Sequence, residues 1–251
     1  MSGLVLKIIA MLSMLTDHIG YIFFPTDLTW RYIGRIAFPL YCFLLTEGFF
    51  HTRSREKYLL RMAGFAVISE IPFDLALYHM PIYRDYNNVF WTLLIGLAVM
   101  YFSELVYCRF GNRSQGILFC FVGMILAEYF HCDYGSVGVL AIYIFYLSWE
   151  SRNRAVRKQK WLGNILMLLS EGILFWIQNP VERYAVAALF LILLYSGKGV
   201  AINCRENYNN SLNTFSMYFI HYIYLFYILS PFFFNRRTER NQNTRRENGI
   251  I

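Results

Sequence analysis

The stretch Ile9–Gly20, IAMLSMLTDHIG, is an apolar run of helical character that carries Asp17 and His18 in its interior. It lies within a longer apolar segment, Leu4–Phe24, which is long enough to cross a bilayer core of about 30 Å at about 1.5 Å per helical residue. Ionisable side chains are costly to keep at such a depth, so they indicate a functional site by default. The stretch therefore predicts a first transmembrane helix with a functional Asp–His pair.

The composition extends this interpretation to the whole chain. Of its 251 residues 57% are apolar, against roughly 45–50% in soluble domains. We expect an all-α polytopic integral membrane protein with about nine or ten transmembrane helices: one domain over residues 1–234 and a disordered basic tail over 235–251. The hydropathy pattern places spans near residues 4–24, 30–50, 58–79, 88–107, 115–131, 134–149, 161–178, 182–197 and 212–234.

The positive charges predict an orientation. They concentrate in alternate loops, at Arg53–Arg61, Arg109–Arg113 and Arg152–Lys160, and such loops are cytoplasmic by the positive-inside rule. We therefore expect a protein of the bacterial cytoplasmic (inner) membrane with its N-terminus inside, whereas the side of the C-terminus stays open. The net charge of +7 lies in short clusters rather than along one stripe, which argues against nucleic acid as a partner.

With this orientation, polar residues of several spans reach one level near the outer surface. His18 lies about 21 Å from the inner end of the first span, and Arg35 about 7 Å below the outer surface in the second. Glu70 and Asp74 are an i, i+4 pair around Pro72, which would kink the third span. The other polar residues that we assign to acceptor binding are Asn88, Thr92, Asp133, Tyr134 and, in the last span, His221.

These residue types suit proton transfer. A neutral imidazole such as His18 takes and returns a proton near pH 7, and Asp17 beside it would restore the basicity that burial removes. Arg35 keeps its proton, so it suits anion binding or carbonyl polarisation. Alternatively, Arg35 pairs with Asp17 or Asp74 as a folding lock without chemistry. No cysteine or histidine spacing typical of a metal site is present, and we expect no metal.

Several segments together resemble the TraX family. They are LKIIAMLSMLTDHIGYIFFP from Leu6, RYIGRIAFPLYCFLLTEGFFHTRSREKYLLR from Arg31, FAVISEIPFDLAL from Phe65, NVFWTL from Asn88, DYGSVGVLAIYIFYL from Asp133 and LLYSGKG from Leu193. That family is associated with N-terminal acetylation of conjugative pilin. The resemblance implies a membrane-embedded acetyltransferase that acts on an exported polypeptide.

A weaker similarity extends to type-three membrane acyltransferases. It involves His18 in the first span, the Phe38–Phe49 run followed by Arg53 and Arg55, and Tyr218 with His221 in the last span. This chain departs from that family in having fewer spans. Its last span, SMYFIHYIYLFY, also lacks the Phe-Tyr-Pro-x-His expected in TraX proteins.

These observations lead to one hypothesis, in which acetyl passes from cytoplasmic acetyl-CoA to an acceptor amine at the outer side of the membrane. His18 would deprotonate the amine, Asp17 would support the imidazolium, Arg35 would steady the oxyanion, and Asp74 or Glu70 would orient the acceptor ammonium. The phosphates of CoA need cations. The basic group predicted to bind them is His51, Arg53, Arg55, Lys57 and Arg61, although membrane topology explains this group equally well.

Two other classes of function stay open. One is a proton-coupled transporter or exporter with a buried Asp/Glu/His relay, against which stands the absence of paired broken helices or a two-half repeat in the sequence. The other is a non-catalytic membrane chaperone for pilin or peptide. The sequence names neither the acceptor, amine or hydroxyl, nor the acyl chain length, nor the oligomeric state.

Overall fold

Helices joined by short loops make up residues 1–83, 85–111, 114–154, 172 and 181–195, the part of the chain that the computed structural model describes. These residues contain no strand and one isolated β-bridge, between Asn87 and Cys132. The expected all-α class is confirmed over this part. The helices are α1 (Gly3–Phe23), α2 (Thr29–Gly34), α3 (Ala37–His51), α4 (Arg55–Tyr78), α5 (Val89–Phe110), α6 (Ser114–Tyr129), α7 (Gly135–Arg154), a 3-10 helix (Glu182–Val186) and α8 (Ala187–Leu193).

Three of the described segments are long and apolar enough to cross a membrane, so this is a membrane protein. They are Gly3–Phe23, Thr29–His51, which comprises α2 and α3, and Val89–Phe110. The expected spans over 58–79, 115–131, 134–149 and 182–197 correspond to α4, α6, α7 and the 3-10 helix with α8. Those over 161–178, apart from Gly172, and over 212–234 lie outside the described residues, as does the tail 235–251. The count of nine or ten spans stays a prediction.

Large apolar side chains form much of the outer surface. On α1, Leu4, Ile8 and Leu12 recur every four residues and are exposed, and α6 exposes Ile117 and Phe121 in the same way. A surface this apolar would be an aggregation hazard in water, because soluble monomers rarely expose large contiguous apolar patches. It is the surface that hydrocarbon chains of a bilayer require.

The helix α3 forms the centre of the bundle. It packs against α1, α5, α7 and α8, while α5 also contacts α4 and α6. Aromatic pairs fill this core, for example Phe43 and Phe145, whose ring centroids lie 6.4 Å apart in an edge-to-face arrangement. Because α3 is surrounded by these helices, each of its ends lies near the loops that connect them.

Because successive helices alternate in direction, the described loops gather at two opposite ends of the bundle. One end, here called the cavity end, holds residues 24–28, 79–83, 85–88 and 130–134 together with residue 181. The opposite end, here called the basic end, holds residues 1–2, 52–54, 111 and 195. At the basic end the ammonium of Met1 donates to the carbonyl of Leu194 at 2.7 Å, and the Tyr195 hydroxyl donates to Glu47.

Candidate functional site

The second apolar segment is two helices rather than one, with Arg35 at their junction. α2 ends at Gly34 and α3 begins at Ala37. The Ser13 hydroxyl on α1 donates to the carbonyl of Ile33 at 2.5 Å and to that of Gly34 at 3.4 Å. Backbone carbonyls at a helix end need such partners where water is excluded. α1 thus fixes the backbone that presents Arg35.

Gly34 is the point of closest approach between α2 and α1. A Cβ atom at this position would lie 2.3 Å from both Cβ and Oδ1 of Asp17, far inside van der Waals contact. Only glycine leaves this space to the carboxylate. The sequence therefore reserves a place for Asp17 directly beside Arg35.

A network of ion pairs centres on the buried guanidinium of Arg35. Its Nη2 donates to Asp17 Oδ1 at 2.7 Å, while Nη1 donates to Glu182 Oε1 at 2.6 Å and to the Tyr134 hydroxyl at 3.2 Å. Arg31 Nη1 lies 3.3 Å from the other oxygen of Asp17. A buried charge is tolerated when opposite charges and hydrogen bonds surround it. This network joins α1, the junction between α2 and α3, the start of α7 and the 3-10 helix.

A cavity of about 460 Å³ opens beside this network at the cavity end. Its size falls in the range typical of small-ligand sites, about 300–1,000 Å³. Five of the predicted site residues line it, namely Asp17, His18, Arg35, Asp133 and Tyr134. The remaining lining residues are Met14, Tyr21, Arg31, Gly34, Ala37, Phe38, Tyr41, Phe73, Leu77, Tyr78, Tyr86, Val89 and Glu182.

Two loops bring Tyr86 and Asp133 together on the cavity wall. The amide of Asn87 donates to the His131 carbonyl at 3.0 Å, and the amide of Asp133 donates to the Asn87 carbonyl at 2.9 Å. The Tyr86 hydroxyl donates to Asp133 Oδ1 at 2.6 Å. Burial raises the pKa of Asp133, and the Tyr86 hydrogen bond and the Arg35 guanidinium both oppose that rise.

Four residues predicted for acceptor binding lie behind the cavity wall rather than on it. Glu70 Oε2 accepts from Asn88 Nδ2 at 2.5 Å and from Trp91 Nε1 at 2.7 Å. Asp74 Oδ2 accepts from the amide of Tyr83 at 2.7 Å, and the Thr92 hydroxyl donates to the carbonyl of Asp133. These bonds hold the two loops and the start of α5. A direct role in acceptor binding stays a prediction, and His221 lies outside the described residues.

The predicted CoA-binding group lies at the basic end, far along α3 and α4 from the cavity. Arg55 is anchored there: its guanidinium lies 4.5 Å from the centroid of Phe49 and 3.8 Å from Oε1 of buried Glu104, which also accepts from the Tyr146 hydroxyl. Arg53 and Lys57 are exposed to the surroundings. His51 is also exposed, and Arg61 is half-buried. No described contact tests the assignment of this group to CoA.

The ion pairs of Asp17 and Arg35 determine which of their atoms can still contact a ligand. Both oxygens of Asp17 accept from arginines, so its support for a His18 imidazolium would act through space rather than through a free oxygen. Arg35 uses three of its five N–H groups, and its buried Nε has no hydrogen-bond partner among the described residues. Arg35 therefore has N–H groups left that could donate to a further hydrogen-bond acceptor, such as an oxyanion.

Three of the lining residues that were absent from the predicted site, Arg31, Tyr86 and Glu182, form side-chain hydrogen bonds with predicted ones. Arg31 precedes Arg35 by four residues, a spacing that puts both cations on one side of a helix and was a usable signal. Glu182 begins an apolar run, where a lone carboxylate is indistinguishable from one at the membrane surface. Tyr86 lies in a loop, and only the pairing of that loop with residues 131–133 brings it to the cavity.

Comparison with known proteins places the chain in a family. The family model described as TraX protein matches residues 2–230. The chain is 27% identical over 203 residues, 76% of this chain and 80% of the relative, to the probable fimbrial assembly protein FimC, serogroup H1, of Dichelobacter nodosus. It is 28% identical over 146 residues, 55% of this chain and 52% of the relative, to an uncharacterised protein of Rickettsia prowazekii (strain Madrid E). No solved structure matches. The chain belongs to the TraX family.

Proposed function

We propose that this protein is a membrane-embedded acetyltransferase that transfers acetyl from acetyl-CoA to the amine of an exported peptide or pilin. Membership of the TraX family, which is associated with pilin acetylation, supports this proposal, as does a relative named for fimbrial assembly. The observation that carries it is the cavity in which His18 lies beside the Asp17–Arg35 pair. A base, a fixed cation and room for a small ligand occur there together.

The reaction needs one proton carrier and one oxyanion partner. The acceptor reacts as the neutral amine, after its ammonium has released one proton to water. The amine nitrogen bonds to the thioester carbon while His18 takes a second proton from it, which gives a tetrahedral intermediate with a negative oxygen. The remaining donors of Arg35 stabilise that oxygen. Collapse of the intermediate breaks the C–S bond, and the imidazolium returns the proton to the leaving thiolate.

The proposed arrangement in the membrane gives each end a separate task. The protein would have nine or ten spans in the bacterial inner membrane, with its N-terminus and basic end in the cytoplasm and its cavity end outward. The exposed cations Arg53 and Lys57 would receive the CoA phosphates with help from His51, Arg55 and Arg61. The pantetheine arm, nearly 20 Å long, would carry the thioester along the bundle toward the cavity.

The test is transfer by the purified protein in lipid nanodiscs with labelled acetyl-CoA. We expect label in a peptide with a free N-terminus, no label in its N-formylated twin, and loss of labelling in His18→Ala. Absence of labelled product with every amine and hydroxyl acceptor offered would contradict the proposal. Proton-driven movement of peptide by the same preparation in sealed vesicles would then favour the transporter hypothesis.

A further inference from the structure

Glu182 has a carboxylate oxygen that no described residue satisfies. The residue is 8% exposed and lines the cavity. Its Oε1 accepts from Arg35 at 2.6 Å, whereas Oε2 is buried without a hydrogen-bond partner among the described residues. An oxygen left in this way loses its hydration and gains nothing in return. A hydrogen-bond donor of a ligand in the cavity would offset that cost.

The carboxyl groups of the cavity wall outnumber its guanidinium groups, which favours a cationic ligand over an anionic one. Three carboxyl groups line it, those of Asp17, Asp133 and Glu182, against the two guanidinium groups of Arg31 and Arg35. The arginines use both oxygens of Asp17 and one oxygen of Glu182. The unsatisfied carboxylate oxygen is therefore Oε2 of Glu182. Asp133 adds a second carboxyl group to the same wall, and its Oδ1 accepts from the Tyr86 hydroxyl and the Tyr134 amide.

Most of the remaining wall is aromatic or apolar. Aromatic faces attract cations and also accept apolar side chains, and two of these rings already face guanidinium groups: Arg31 lies 5.1 Å from the Tyr21 centroid and Arg35 5.9 Å from the Tyr134 centroid. A ligand with an ammonium next to an apolar group would match both parts of the wall. The aromatic lining residues are Tyr21, Phe38, Tyr41, Phe73, Tyr78, Tyr86 and Tyr134.

We infer that Glu182, together with Asp133, binds the N-terminal ammonium of the acceptor peptide, and that the aromatic wall receives an apolar first side chain. This inference rests on the proposed function for the identity of the ligand. Its chemistry, a primary ammonium, is shared by a lysine side chain and by the ethanolamine headgroup of a phospholipid. The experiment must therefore separate these three sources.

Binding without acetyl-CoA tests the inference directly. Wild-type protein in phosphatidylcholine–phosphatidylglycerol nanodiscs is titrated with a peptide that begins with Phe and carries a fluorophore at its C-terminus. We expect it to bind at least tenfold more tightly than its des-amino twin, because a charge-assisted hydrogen bond to a buried carboxylate is lost. A peptide with a blocked N-terminus and a free lysine should bind like the des-amino twin. Replacing the first Phe by Asp should also weaken binding.

Variants then assign the effect to Glu182. Glu182→Gln keeps an oxygen for Arg35 but removes the charge, so the ratio between the amine and des-amino affinities should fall toward one. Asp133→Asn should lower this ratio less. The matched control is Glu128→Gln, an exposed carboxylate at the same end of the bundle that accepts from the amide of Ser136 and does not line the cavity. Its ratio should equal that of the wild type.

Equal affinity of wild type for the amine and des-amino peptides would overturn the inference, as would an unchanged ratio in a folded Glu182→Gln. Competition by ethanolamine phospholipid added to the nanodiscs would also overturn it, since the site would then belong to lipid. If Glu182→Gln fails to fold, the wild-type comparison still decides. Amine-dependent binding without acetyl transfer would reject the proposed function alone, and transfer without amine-dependent binding would reject the inference alone.

Discussion

The two ends of the bundle treat charge in opposite ways. At the cavity end, Asp17, Arg35 and Glu182 are largely buried and paired, and they line a cavity. At the basic end, Arg53 and Lys57 are exposed, and Arg55 is anchored by Glu104 and Phe49. Buried charges are costly and persist where fold or chemistry needs them, whereas exposed cations at a membrane surface cost little. The comparison separates a site built by the fold from a basic surface that membrane topology explains as well as CoA binding does.

The largest expected effect is on His18. His18→Ala should lower the rate of acetyl transfer by about 10²–10⁴-fold, because a positioned proton carrier contributes roughly that much. Membrane insertion should be intact, since removing an ionisable group lowers the cost of insertion. Radiolabel incorporation into a peptide measures the effect, and Leu12→Ala, at an exposed apolar position of the same helix, is the control. If the inserted His18→Ala variant transfers acetyl at the wild-type rate, the reaction does not use His18 at the cavity end.

The next effect concerns stability at the centre of the ion pairs. Arg35→Ala should lower the free energy of unfolding by about 3–5 kcal/mol, because the largely buried carboxylates of Asp17 and Glu182 each lose an ion-pair partner. Arg31→Ala should cost about 1 kcal/mol or less, since the Arg31 side chain is 29% exposed. Thermal unfolding in detergent compares the two variants.

Arg35→Lys distinguishes a folding lock from a chemical role. Lysine restores the charge but not the planar fork that reaches Asp17, Glu182 and Tyr134. We expect acetyl transfer to fall far more than thermal stability. Losses of activity and stability in equal proportion would support the folding lock instead.

Two glycines give a matched pair with opposite expected signs. Gly34→Ala forces a methyl group onto Asp17 and should destabilise the protein by about 1–3 kcal/mol while lowering activity. Gly64→Ala meets nothing within 4 Å on α4 and should stabilise it by about 0.5–1 kcal/mol. Equal unfolding temperatures for the two variants would mean that Asp17 does not need its place beside Gly34.

The sequence allowed part of the cavity end to be predicted. The positions of Asp17, His18, Arg35, Asp133 and Tyr134 along their apolar runs were enough to place them near one another. In helices that cross the same membrane, residues at the same distance from the outer end lie at the same level. The depth of a residue in the membrane does not say in which direction its side chain faces around the helix axis. For that reason the sequence did not show that Glu70 and Asp74 face the loop and the start of α5, and their expected role in orienting the acceptor ammonium stays a prediction.

Other features depend on contacts that no local pattern encodes. At the interruption of the second span, the carbonyls of Ile33 and Gly34 accept from Ser13 of another helix. The place of Glu182 depends on a contact between residues 147 positions apart in sequence. Periodicity within one segment carries no information about either.

The smallest expected effect is at the basic end. The double variant Arg53→Gln, Lys57→Gln should raise the KM for acetyl-CoA several-fold and leave kcat nearly unchanged. The reason is that side-chain cations that bind the CoA phosphates stabilise the ground state and the transition state equally. The wild-type KM should climb with salt as the Debye length falls from about 10 Å to about 3 Å, and the double variant should lose most of this dependence. Arg55→Gln is the informative companion, since it should lower thermal stability as well through buried Glu104. An unchanged KM in the double variant would direct the search for CoA to Arg109 and Arg113 or to Arg152–Lys160.

The central claim is that the two ends divide the reaction, with the donor bound at the basic end and the acceptor in the cavity. Proteoliposomes with the protein in one known orientation test it, with labelled acetyl-CoA on one side and peptide on the other. Acetylated peptide should form when acetyl-CoA meets the basic end and peptide meets the cavity end, and not when the two are exchanged. Equal product in both arrangements, or product only in the exchanged one, would contradict the claim.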